Sequence, residues 1–245
     1  MHRLLLVAAG AAALGYGSAQ AASCPAFPPT AIKCLAVTSP IERDTSKTAK
    51  ELAAMGTATR PQPVKYEHEI AASALRSVGL QTLPDGTVCA ALAEITFKLG
   101  FKRKLYIAKE FSEDSCVAAT MADYESPLIK SDDDVLAQFG ATLAQTYAAD
   151  VAAIGTNADK NKDEVQKPLL AKASALLNDK IAAAFEQDVN AATAKVDLSK
   201  WNKASCDGAT DRALASISVK AEELKDTNAG AQLPAQRPPP GLNGH

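Results

Sequence analysis

Ile95-Thr96-Phe97-Lys98-Leu99-Gly100-Phe101-Lys102-Arg103-Lys104-Leu105-Tyr106-Ile107-Ala108 is the stretch on which the fold turns. Ile95, Phe97 and Leu99 alternate with Glu94, Thr96 and Lys98, the period of two that marks a half-buried strand. Gly100 followed by the basic Lys102-Arg103-Lys104 reads as a hairpin-like turn with solvated charges, leading into a second strand at Leu105–Ala108. Upstream, Val64, Tyr66, His68 and Ile70 fall on one face with Lys65, Glu67 and Glu69 on the other, the same alternation. Leu83-Pro84-Asp85-Gly86 carries turn chemistry that connects an earlier strand to the one holding Cys89. The expectation is a small antiparallel sheet.

Beyond Phe111 the pattern becomes helical, in Ala-rich segments near residues 113–125, 132–154, 165–195 and 210–224. Ser131 before Asp132, Asp133 and Asp134 reads as an N-cap with acidic residues where the helix dipole favours them, a solvated helix start. Calcium loops alternate their ligands around a glycine, so this run is not one. Gly155 ends its segment and residues 156–163 form a polar connection. Leu169, Leu170, Leu176, Leu177, Ile181, Phe185 and Val189 make a one-sided stripe, the core between antiparallel helices.

Met1 to Ala21 has Arg3 near its start, an uncharged run from Leu4 to Leu14, and Ala19-Gln20-Ala21 at its end, the pattern of a cleaved signal peptide. Its apolar run is shorter than the roughly 20 residues of a membrane span. Residues 22–60 read as a poorly ordered, variable lead-in with a short helix around Thr45 to Met55. Residues 61–226 form one domain, and 227–245, with Pro238-Pro239-Pro240, a disordered tail. The 245 residues are 47% hydrophobic and 22% charged, an ordinary globular composition. Twenty-six basic against 28 acidic residues give a charge of -2, which offers no footprint for nucleic acid. The mature chain is expected in the periplasm or outside the cell, without a transmembrane span.

Cys24, Cys34, Cys89, Cys116 and Cys206 all follow the signal, so pairing is the default in an oxidising compartment, and five is odd. No C-x-x-C occurs. Cys89 follows the Pro-Asp-Gly turn and Cys116 opens the first helix, two elements that the hairpin brings together, which predicts a Cys89–Cys116 bridge. Cys206 then pairs with Cys24 or Cys34, between which the sequence does not choose.

Leu83-Pro-Asp-Gly-x-x-Cys89, Leu105-Tyr-Ile-Ala-Lys-Glu-Phe111, and Ser115-Cys116 seven residues before Tyr124-Glu125 together resemble a family of bacterial exported proteins with a zincin-type metal site. In that family a strand of the form V-Y-I-A-R-E-Y leads to G-S-C, then seven residues, then H-E-x-x-H on a helix. The likeness spans about residues 64–132 and returns at Val196-Asp197-Leu198 and from Trp201 to Cys206. It implies a zincin-like core and a peptidase-like ancestry. In H-E-x-x-H two imidazoles four residues apart reach one zinc ion, and the glutamate activates its water. Here the five positions read Tyr124-Glu125-Ser126-Pro127-Leu128, so both ligand positions are lost and only Glu125, aligned with the general base, survives.

Pro127 is costly inside a helix but suits a first turn, so Ser126-Pro127 reads as a cap and start, with the motif helix broken between Glu125 and Asp132. Beyond the signal only His68 and His245 remain. His68 opens a half-match, His68-Glu69-Ile70-Ala71-Ala72, but lies on a strand, where it reads as a partly buried, hydrogen-bonded side chain. There is no phosphate-binding glycine loop and no nucleophile elbow.

The sequence therefore predicts an α+β protein, mainly α-helical, with a small antiparallel β-sheet and a zincin-like core. It predicts no cofactor, no metal, and no catalytic residue at the degenerate positions Tyr124, Glu125 and Leu128. The expected role is binding or structural in the bacterial envelope, with a peptide or envelope protein as partner along a cleft beside the sheet edge. One alternative is a hydrolase with a non-standard metal or carboxylate site including Glu125. Another is an envelope protein whose old cleft is filled, for which Tyr124 and Leu128 in one apolar cluster would speak.

Overall fold

The segment from Val88 to Ile107 is one 20-residue strand rather than a hairpin, paired along its whole length with β2. The computed structural model describes residues 24–56, 58, 60–198, 204 and 206–218. The expected signal peptide, the tail and Trp201 lie outside the described residues. In chain order, β1 is Ala31–Asp44, α1 Ala49–Ala54, β2 Val64–Thr82 and β3 Val88–Ile107. They are followed by α2 Ser115–Tyr124, α3 Ser126–Thr146, α4 Ala148–Ala152 and β4 Thr156–Asp159. The last three helices are α5 Lys162–Ala175, α6 Ala182–Thr193 and α7 Ala209–Ser216.

Among the described residues the sheet has four strands, in the order β1-β3-β2, with β4 also on β3. The long hairpin of β2 and β3 is antiparallel from Val64↔Ile107 to Thr82↔Val88. Its turn is the expected one: the Gly86 amide donates to the Leu83 carbonyl at 2.9 Å, and Gly86 has φ 82°. β1 runs parallel to β3, from Ala31↔Glu94 to Asp44↔Tyr106, and β4 is antiparallel to Val88–Ala91.

These pairings correct the expected mainly α-helical fold with a small antiparallel sheet. The sheet is long and mixed, and one of its strands comes from the segment read as a poorly ordered lead-in. The turn expected at Gly100 and Lys102-Arg103-Lys104 is absent. Gly100 answers a different need: a Cβ there would collide with the Val37 carbonyl oxygen of β1, so only glycine lets the two strands approach. Arg103 is buried on the inner face, while Lys102 and Lys104 lie on the outer face. Residues 156–159, expected in a polar connection, form β4.

Helices cover the inner face, so Ile95, Phe97, Leu99, Phe101, Arg103 and Leu105 are each 5% exposed or less. The core has two apolar clusters. The first joins Phe97, Leu99 and Phe101 to Phe139, Leu169, Ile181 and Phe185. The second joins Leu105 and Phe111 to Leu52, Val117, Met121, Tyr124 and Leu214. Of the expected stripe, Leu169, Leu176, Leu177, Ile181, Phe185 and Val189 are buried and Leu170 is not; the stripe packs on the sheet as well as on neighbouring helices, and its helix is interrupted by a π segment at Leu176–Ile181.

The disulfides are Cys24–Cys89 and Cys116–Cys206, and Cys34 is free. This corrects the expected Cys89–Cys116 bridge and both expected partners of Cys206. The reason is the missing hairpin. Cys89 starts β3 and Cys116 follows its far end, and the strand between them, at about 3.3 Å per residue, holds them tens of ångströms apart.

Candidate functional site

The positions aligned with the metal-site motif lie at the junction of α2 and α3. Asp114 caps α2, its carboxylate accepting from the Cys116 amide at 2.9 Å and the Val117 amide at 3.2 Å. Tyr124 closes α2 and Ser126 opens α3, with Pro127 in the first turn, where its missing N–H has no intrahelical acceptor to lose. The predicted boundary is therefore present. The cap residue is Glu125 rather than Ser126, its carbonyl accepting from the Leu128 amide at 3.0 Å and the Ile129 amide at 3.3 Å.

This junction faces inward. Tyr124 is 4% exposed within the second apolar cluster, and Leu128 packs against the same cluster. Glu125 is buried, its Oε2 has no hydrogen-bond partner, and burial pushes its carboxyl up to about 7. Among the described residues no group of three His, Cys, Asp or Glu side chains is arranged to hold a metal ion.

A second constellation lies where the two apolar clusters meet on β3, and the sequence reading dispersed it. The sheet register sets His68 opposite Arg103 and Tyr66 opposite Leu105. Asp132 descends onto them from α3, 1% exposed. Its Oδ2 accepts from the Tyr66 hydroxyl at 2.5 Å and lies 2.8 Å from His68 Nδ1. Arg103 Nε lies 4.0 Å from the same oxygen, and Arg103 Nη2 donates to Asp133 at 2.6 Å. The guanidinium also stands 5.1 Å from the Phe101 ring centroid, with the His68 ring 5.2 Å from the same ring. Burial and the Asp132 carboxylate raise the Tyr66 phenol well above its ordinary range.

His68 thus behaves as expected of a hydrogen-bonded strand histidine. The solvated helix start at Ser131 and Asp132-Asp133-Asp134 is corrected. Ser131 lies inside α3, because Pro127 starts the helix earlier, and the helical period then turns Asp132 to the sheet while Asp134 pairs with Lys130 in solvent. A buried carboxylate with three strand partners pins α3 across the sheet, and losing one partner leaves an uncompensated charge. Reading acidic residues by sequence neighbourhood missed this. The signal that finds it is the polar pair Tyr66 and His68 on the buried phase of a strand.

An open groove of about 630 Å³ runs between α3 and α6 from Pro127 and Ser131 to Phe139, Ala192 and Val196. Helix residues and the segment after α6 line it, so it is not a cleft beside the sheet edge. Among the described residues no helix is long and apolar enough to cross a membrane. Compared with known proteins, the chain matches no family model, no curated protein and no solved structure.

Proposed function

We propose that this is an exported, non-catalytic relative of the zincin-like metallopeptidases, with a structural or binding role in the periplasm or outside the cell, and that its former catalytic position has become packing. The observation that carries this reading is the placement of Tyr124 and Leu128 against one apolar cluster with Glu125 buried between them in sequence. Zinc chemistry needs at least three ligands and an open water position, and the two positions that the resemblance aligns with imidazoles are Tyr124 and Leu128, both packed into the core. Two disulfides suit an oxidising compartment.

The test is elemental analysis of the mature protein purified without a histidine tag, together with incubation on a general peptide library. The reading expects substoichiometric zinc and no cleavage. Near one zinc per chain with chelator-sensitive cleavage would overturn it.

A further inference from the structure

The two edges of the sheet differ in kind. β1 carries Pro40, which lacks a donor, and its register shifts between Thr38 and Ile41, both devices that blunt an edge. Among the described residues β2 is the other terminal strand; it has no proline over 19 residues and contains the uncharged run Ile70-Ala71-Ala72-Ser73-Ala74-Leu75. The outer face beside that run is apolar and open. In register across it stand Leu75 with Thr96 and Lys33, Ser73 with Lys98 and Leu35, and Ala71 with Gly100 and Val37. Leu75, Leu35 and Val37 are 57%, 50% and 38% exposed.

The charges of this face single out Lys98. Lys33 pairs with Glu94, Lys65 with Glu67, Lys102 with Glu69, and Lys104 with Glu42 and Asp44. Lys98 stands in the middle of the apolar rows, half-buried, with no carboxylate partner among the described residues. Neighbouring strands lie about 4.8 Å apart, so a strand added beyond β2 runs about 10 Å from β3. A lysine and a glutamate side chain together bridge that gap over the short Ser73.

We propose that the Ile70–Leu75 edge of β2 takes up an extended segment of a partner protein by strand addition. The segment carries an acidic residue opposite Ser73, paired with Lys98, and apolar residues two positions to either side, against Leu75 and Ala71. The assignment rests on the non-catalytic reading above.

The probes are two synthetic peptides, Thr-Leu-Thr-Glu-Thr-Leu-Thr and its counterpart with lysine in place of glutamate, titrated by fluorescence anisotropy onto the full mature chain. The glutamate peptide binds about fivefold tighter, the scale of a partly exposed ion pair. Lys98→Glu reverses the preference, and Lys98→Gln abolishes it without introducing repulsion. Bound peptide protects amides of Ile70–Leu75 from hydrogen exchange. Absence of binding at millimolar peptide, indifference to both variants, or protection confined elsewhere would overturn the edge assignment. So would self-association of the chain that competes with the peptide, which would make a second copy the occupant. Cleavage of a bound peptide would overturn the non-catalytic reading instead.

Discussion

Replacing Glu125 with glutamine removes an ionisable group while keeping its shape. Burial raises this carboxyl from 4.5 to about 7, and Oε2 has no hydrogen-bond partner. Every tenfold change in proton affinity is worth about 1.4 kcal/mol, so the ionised native state carries a penalty of about 3 kcal/mol. The direction follows from proton counting. Between pH 4.5 and 7 the native state binds more protons than the unfolded chain, so stability falls as pH rises, and above that window the full penalty persists. Below pH 4.5 both states are protonated and the penalty vanishes. Glu125→Gln is therefore close to neutral at pH 4 and stabilising by about 3 kcal/mol at pH 8.5, or roughly 6–12 °C in Tm for a chain of this size. Thermal or urea unfolding of both proteins across this range measures the difference, in which all other titrations cancel. A difference that stays within 1 kcal/mol of its pH 4 value at every pH would refute the buried, unpartnered carboxylate.

Asp132→Ala leaves His68 and Arg103 buried beside an empty position, and is expected to destabilise by about 3–5 kcal/mol in chemical unfolding; Asp134→Ala, on the solvent side of α3, is expected to change stability by less than about 0.5 kcal/mol. Cys206→Ser opens a closure of 90 residues and costs about 4.6 kcal/mol in the chain-entropy model. Peptide mapping of non-reduced protein is expected to return Cys24–Cys89 and Cys116–Cys206 with Cys34 alkylated. Gly100→Ala forces β1 off the Val37 approach at a cost of about 1–3 kcal/mol, with faster hydrogen exchange in Ala31–Asp44 as its mark. Tyr124→His with Leu128→His is expected to gain no micromolar zinc site, because the two positions flank the break at Glu125; zinc titration of the double variant checks this.

What the sequence determined by itself is local. The Leu83–Gly86 turn, the short helix at Ala49–Ala54, the boundary at Pro127, the end of a helix at Gly155 and most of the apolar stripe from Leu169 to Val189 depend on backbone chemistry or a helical period within a few residues. What the tertiary structure decided is whatever depends on a second segment. Gly100 reads as a turn until β1 lies against it, because a glycine that admits a close neighbour and one that reverses the chain look alike in one dimension. The break at Gly100 then misplaced the cysteines, since folding β3 back on itself would have brought Cys89 to Cys116. β1 was illegible because its inner residues, Ile32 and Cys34, gain their burial from α3 and β3 rather than from a pattern of their own. Asp132 looked solvated for the same reason: three consecutive aspartates are alike in sequence, and only the angle at which α3 crosses the sheet distinguishes the one that meets Tyr66 and His68 from the one that meets water.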